Sequence, residues 1–485
     1  MRCKRLFVVV AVALISIFLA GCGGSNNNPT PQGGFTNGNL NGTFAMSFSG
    51  SDVNGFFAVA GMVTVDGNGH VTSGVLDLNE APTPITNASL TGTYAVRADG
   101  RGVMGLTGSA GNFNLVFVLV ADNRALVTRF EKSAVGSGSL DPVNSSAFST
   151  AALAGTFVFN LSGIDTVGNP LTTVGSITTN STGTVSSGVQ DQSDNGAIVT
   201  DNPITSGSIQ VASNGRGTAS ITTAAGPQNF AFYVVDANHI KLVETDSLPA
   251  IAGDAFRQGG AISAASLSGP FAFTVAGSDV GVQGAFASGG VFSSNGSGTI
   301  TSGIEDFNDA GSPVQNVALA GTYSIDASGR GTATITTATV GTLTFAFYPT
   351  TNGVQLMETD TGLVVSGAAF PQTGALSTST FQGMYGLNYT AATGNGEVDT
   401  IASVNANSAG HFTAIMDVSN FGAQPSSGTA LSGSYTIDAT GHGSLTLQSA
   451  FLGQQNMAIY AISNSRALFV ELDTDIVAAG DIEHQ

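Results

Sequence analysis

The chain repeats itself at long, regular intervals. Leu40-Asn41-Gly42-Thr43-Phe44 returns as Leu153-Ala154-Gly155-Thr156-Phe157, Leu267-Ser268-Gly269-Pro270-Phe271 and Phe381-Gln382-Gly383-Met384-Tyr385, so units begin at residues 40, 153, 267 and 381, offsets of 113, 114 and 114. Solenoid repeats run to roughly 20–50 residues. A unit this long is expected to be a domain with its own core, not a turn of a superhelix. The predicted domains are 39–143, 152–258, 266–372 and 380–485, joined by short Ser-, Ala- and Gly-rich linkers.

Within a unit the opening strand alternates large apolar residues with small or polar ones: Phe44, Met46, Phe48; Phe157, Phe159, Leu161; Phe271, Phe273, Val275; Tyr385, Leu387, Tyr389. Period two with one apolar face predicts half-buried antiparallel strands. Hairpin turns recur at two places. The first is Asp66-Gly67-Asn68-Gly69 and its counterparts. The second is Asp99-Gly100-Arg101-Gly102, Asn214-Gly215-Arg216-Gly217, Ser328-Gly329-Arg330-Gly331 and Thr440-Gly441-His442-Gly443. Gly and Asn tolerate the positive φ such turns need. A second Leu-x-Gly-x-Tyr lies midway, at Leu90–Tyr94, Leu319–Tyr323 and Leu431–Tyr435, while unit two keeps only Gly207 and Ile209. Each half then reads as strand, hairpin, strand. The expected fold is all-β: four tandem antiparallel domains, each an eight-stranded up-and-down barrel, with a β-sandwich as the alternative.

The Gly-x-aromatic on the first strand followed by hairpins resembles the calycin or lipocalin-type barrel, although that family favours Trp and this chain has none. Residues 40–485 as a whole resemble tandem-repeat bacterial lipoproteins with Leu-x-Gly-x-Tyr, Asp-Gly-x-Gly and Ser-Gly-Arg-Gly punctuation. That resemblance implies an address and an architecture, and no activity.

The address is read at the start. Arg2, Lys4 and Arg5 precede an apolar run from Leu6 to Phe18, and Leu19-Ala20-Gly21-Cys22 ends it. Residues 1–22 read as a signal peptide, the run being too short for a spanning helix. The small-residue site resembles the bacterial lipobox, which implies that Cys22 becomes a lipidated N-terminus. Residues 23–38 form a polar, flexible tether. Without Cys3 and Cys22 no thiol remains for a disulfide, zinc or nucleophile. The net charge of −19 becomes −22 once Arg2, Lys4 and Arg5 are removed, leaving 10 basic against 32 acidic residues. That balance argues against nucleic acid as a partner.

Three constellations could carry chemistry. The first follows the third strand: Asp77-Leu78-Asn79-Glu80, Asp191-Gln192-Ser193-Asp194, Asp306-Phe307-Asn308-Asp309 and Asp417-Val418-Ser419-Asn420. Alternating carboxylate and amide oxygens are what Ca²⁺ takes, yet each copy offers three or four of the six to eight required. A structural turn is therefore preferred, and no cofactor is expected. The second is Glu-x-Asp, at Glu244 and Asp246, Glu358 and Asp360, and Glu471 and Asp473. Positions i and i+2 share a strand face, read here as solvated; unit one has Arg129 and Glu131 instead. The third is the basic residue of the second turn, Arg101, Arg216, Arg330 and His442, expected to pair with an acidic strand end of its own unit or to contact the next one, with ligand binding as the alternative. No Gly-x-Ser-x-Gly or His-Glu-x-x-His motif occurs, so an enzyme is not expected.

The expected function is that of a lipid-anchored module of the cell envelope: a multivalent binding or structural protein at the outer membrane, meeting a protein or polymer partner. A carrier of small apolar ligands inside the barrels is the alternative, and a polymer hydrolase the third reading. The anchor gives the first prediction. Cys22→Ser should move the protein from the membrane fraction to the soluble one, because lipid chains supply the only attachment the sequence offers. A Cys22→Ser protein that still sediments with membranes would refute the lipobox reading.

Overall fold

The computed structural model describes residues 33–485 except 81, 82, 261, 340 and 451. The signal segment, Cys22 and most of the tether lie outside the described residues. Each unit is a meander of antiparallel strands joined by Gly-rich hairpins. Unit one runs Asn41–Asp52, Gly55–Asp66, His70–Glu80, Ile85–Val96, Arg101–Gly108, Gly111–Val120, Arg124–Glu131 and Ala134–Pro142. The first and last strands pair, closing an eight-stranded barrel, and units three and four close in the same way.

Unit two follows the same path with a broken fourth strand. Ala197–Pro203 and Ser206–Val211 replace one continuous strand, giving a nine-stranded sheet. Ser206–Val211 meets the start of the third strand at the bridge Thr184↔Ser208 and through the Ile209 N–H, which donates to Gly183 O at 2.7 Å. Pro203, which has no N–H to donate, stands at the break. This is also the unit whose midway motif has lost its Tyr.

The motif has a visible purpose elsewhere. The opening Leu40, Leu267 and Phe381 plug the barrel ends and are buried. The midway Tyr hydroxyls donate to the carbonyls of those same residues: Tyr94 to Leu40 at 2.7 Å, Tyr323 to Leu267 at 3.0 Å, and Tyr435 to Phe381. The two motifs of one unit thus meet across the lumen and fix where it ends. Closure also needs glycine in the last strand. A Cβ at Gly138, Gly253 or Gly367 would stand 1.8, 2.0 and 2.0 Å from the carbonyl oxygens of Ser47, Asn160 and Thr274 on the first strand.

The barrels are not beads on a string. Together they form one compact unit. Strands one to three of each unit pack their outer face on strands six and seven of the next. Ala58, Ala60 and Met62 meet Ala231, Tyr233 and Val243 between units one and two. Val158, Val174 and Val189 meet Tyr348 and Met357 between two and three. Ala287 and Val291 meet Tyr460, Leu468 and Val470 between three and four. The fourth joint returns to the start: Ile401 of unit four packs on Val116, Val118, Val120 and Leu126 of unit one. Head-to-tail joints yield either open arrays or rings. Here the rotation closes after four units. A cavity of about 470 Å³ lies where the barrels meet, lined by residues of all four, among them Ser47, Ser162, Thr274 and Asn388.

Candidate functional site

The residues singled out by their repetition converge on the four joints. Asp77, Asp191, Asp306 and Asp417 sit on the outer face of the third strand, nearly inaccessible to solvent. One oxygen of each accepts a backbone N–H from a residue held in left-handed geometry on the fourth strand of the same unit. Asn87 (φ 53°), Asp201 (φ 54°) and Asn316 (φ 56°) donate at 2.9, 2.9 and 2.8 Å, and Gly428 (φ 73°) at 2.9 Å. Asn, Asp and Gly are the residues that enter this region most readily.

The rest of each carboxylate faces the next unit. Arg216 reaches Asp77 at 2.6 and 2.8 Å, and Arg330 forms a bidentate pair with Asp191 at 2.5 and 2.8 Å. His442 Nε2 lies 2.7 Å from Asp306 Oδ2, and Arg101 Nη1 donates to Asp417 at 2.8 Å. The last pair joins unit four to unit one. Tyrosine completes three of the sites: Tyr233 donates to Asp77, Tyr348 to Asp191 at 2.5 Å and Tyr460 to Asp306 at 3.0 Å. Burial, and then the neighbouring carboxylate, push the hydroxyls of Tyr233, Tyr348 and Tyr460 well above the ordinary phenol range, so they stay protonated donors. The ring-closing joint has Val118 at the corresponding place and uses Ser427, at 2.5 Å, and a second guanidinium, Arg97, at 3.6 Å.

Two residues along, the same strand supplies a second bond. Asn79 Nδ2 donates to the carbonyls of Glu244 and Asp246 at 2.9 and 3.0 Å, and Asn308 Nδ2 to those of Glu471, Asp473 and Ile476 at 2.8–3.1 Å. Ser193 does the same for unit two, donating to Leu363 O at 2.8 Å. The remaining acidic candidates lie apart. Glu80 accepts from Asn54 across the first hairpin, Asp194 lies beside Asp165, and Asp309 Oδ1 is buried with no partner among the described residues.

This donor set does not fit calcium. The ion needs six to eight oxygens around it. The repeated aspartates instead face N–H and O–H donors and a basic side chain, and Asn79 and Asn308 present their amide nitrogens. No cluster of three or more His, Cys, Asp or Glu able to hold a metal occurs among the described residues.

The Glu-x-Asp pairs require a correction, because the expected solvated face is the barrel lumen. Glu244, Glu358 and Glu471 are buried to within 1% of full burial. They continue the inward row of the seventh strand, after Ile240 and Leu242, Val354 and Leu356, Ala467 and Phe469. Desolvation, then the adjacent aspartate, pushes each carboxyl up to about 9. The second residue has a separate task. Asp246, Asp360 and Asp473 accept the backbone N–H of Asn229, Thr344 and Asn456 at 2.9, 2.7 and 2.9 Å, anchoring the sixth strand. In unit one Glu131 holds Asn114 likewise at 2.8 Å, and Arg129 takes the lumen position, stacked over Phe57 and Phe113.

No protein-family model matches the chain, and no curated protein does. Among solved structures it is similar to transferrin binding protein B of Haemophilus parasuis Hp5 at 8% identity, covering 76% of this chain and 85% of that one, with a TM-score of 0.21. The corresponding protein of serogroup B Neisseria meningitidis gives 8% identity, 76% and 84% coverage, and a TM-score of 0.19. Likenesses this distant lend nothing to the assignment of a function.

Two outcomes follow from the joints and the lumen. Asp191→Ala should cost about 3–5 kcal/mol in urea unfolding, because it leaves the Arg330 guanidinium without its partner at a largely buried joint. Adding Arg330→Met should recover part of that loss, with a coupling of about 1–3 kcal/mol; strictly additive losses would mean that the pair does not act as a unit. The lumen glutamates set a pH dependence. Their folded pKa lies above the unfolded value, so the folded state holds the extra proton. Stability is full below about 4.5, falls as pH rises, and the contribution is gone past about 9. Each glutamate adds at most about 1.4 kcal/mol per pH unit. Unfolding of a Glu244→Gln, Glu358→Gln, Glu471→Gln chain between pH 5 and 8.5 should show a flatter decline than the parent. An unchanged slope would show that the three carboxyls are ionised in the folded protein.

Proposed function

We propose that the protein is a non-catalytic, lipid-anchored module of the cell envelope, in which a preassembled ring of four barrels offers several contact surfaces to a protein or polymer partner at fixed spacing. The observation that carries this reading is the cyclic series of joints. The repeated ionisable residues hold barrel to barrel instead of gathering in a cleft. Fixed geometry suits multivalent contact, because a partner that matches the spacing gains avidity without a strong individual contact.

Lumen volumes favour this reading over a carrier with a ligand in every barrel. The cavities in units three and four measure about 70 and 20 Å³. A drug-sized ligand needs roughly 300 Å³ or more. Large inward side chains such as Phe44, Phe57 and Phe117 in unit one occupy the space instead.

The test is cosedimentation of the chain from residue 23 onward with isolated cell envelopes. Saturable binding is expected. Arg101→Ala combined with Asp417→Ala should weaken it tenfold or more, since the opened ring loses its spacing while its outward loops are untouched. A parent chain that stays in the supernatant, or one that purifies with an apolar molecule in each barrel, would reject the proposal.

A further inference from the structure

Unit three departs from its sisters inside the barrel. Opposite the second strand, the inward position of the third strand is Leu76 in unit one, paired with Gly61, and Met416 in unit four, paired with Ala402. In unit two it is Gln190 and in unit three Glu305. Opposite the midway Tyr, the fifth strand presents Met104 in unit one and Leu445 in unit four, but Ala333 in unit three. Unit two also has Ala there, Ala219, without a carboxyl at the first position. Unit three alone joins a small residue to an acid.

The consequence is a cavity of about 70 Å³ whose lining is apolar apart from Glu305 and the Tyr323 hydroxyl, which is engaged by the plug. Phe292, Leu343 and Phe345 around it are only partly buried, whereas Val63, Phe113 and Leu115 at the corresponding places in unit one are fully buried. Space therefore remains between the side chains of this lumen. Glu305 is 4% exposed; Ser288 Oγ donates to its Oε1 at 2.5 Å, and its Oε2 has no partner among the described residues. Glu358, also buried, has an unpartnered Oε1 and feels the charge of Glu305. Unit one places the cation Arg129 at the Glu358 position, and no cation lines the cavity of unit three.

We propose that the lumen of unit three is a binding site for a small primary amine with a short aliphatic tail. The tail fills the space that Met104 and Leu445 occupy in the sister barrels. The amine, an ammonium already at pH 8, pairs with the Glu305 carboxylate, and a proton held by that carboxyl is released to solvent. Burial raises the Glu305 carboxyl above its ordinary range, and a cation seated beside it opposes that rise. A neutral alcohol of the same length gains the apolar contact and forgoes the ion pair. A carboxylate of that length would meet two acids. A millimolar constant asks about 0.8 kcal/mol of each of the five heavy atoms, well inside the ceiling of about 1.5 kcal/mol for small ligands.

The test is calorimetric titration of the chain from residue 23 onward with n-butylamine, n-butanol and butyrate at pH 8. One amine per chain is expected, at least tenfold tighter than the alcohol, with no butyrate bound. Ala333→Leu should abolish binding by filling the cavity. Glu305→Gln should leave the cavity and bring amine and alcohol to within twofold. Both replacements have precedents at the same places, Leu445 in unit four and Gln190 in unit two, and circular dichroism would check that the barrels are retained. Saturation by n-butanol as tight as by the amine, an amine isotherm unchanged in Ala333→Leu, or no heat up to 50-fold above a millimolar constant would overturn the proposal.

Discussion

A carboxylate shared between two domains organises this molecule. Asp77, Asp191, Asp306 and Asp417 each bind a left-handed residue of their own barrel and a basic side chain of the next. Removing such a charge from water is costly unless its lone pairs are met. Here backbone, cation and hydroxyl meet them together, and only when the neighbour is seated at one angle. The clamp therefore specifies orientation, while the apolar patches around it supply most of the attraction. Because the joint is head-to-tail, the angle it fixes also determines that four units close upon themselves.

The ring-closing joint does the same work with different residues. Val118 replaces the buried Tyr, and Arg97 joins Arg101 at Asp417. Other charges reinforce it: Arg124 of unit one pairs with Glu483 of unit four, and Asn388 donates to Val127 O at 3.2 Å. At the joint of units three and four the basic residue is His442 instead of an arginine. The four joints are variations on one solution, and their common part is an aspartate on the third strand facing a basic side chain from the second turn.

The acidic residues thus divide by face. Those turned outward on the third strand assemble the ring. Those turned inward on the seventh strand are buried in the lumen and held protonated by desolvation. Unit three adds Glu305 to its lumen and loses bulk at Ala333, which makes its interior unlike that of units one and four. Repetition gives the protein a frame in which one barrel can diverge while its neighbours hold it in place.

The sequence by itself determined the four units, the meander of strands and the turns, because these depend on period-two alternation and on glycine or asparagine at positive φ, all local properties. It also marked Asp77 and its equivalents and the basic turn residues as special. Their pairing was decided only by the tertiary structure, since Asp191 and Arg330 lie 139 residues apart and no local rule relates them. A signal for the joints was present in the sixth strand. Leu115–Val120 and Phe230–Val235 are apolar without alternation, as strands buried on both faces are. The inward turn of Glu244, Glu358 and Glu471 was hidden for the opposite reason. Strand spacing places residues on a common face but does not say whether that face meets water or lumen, and only closure of the barrel decides it.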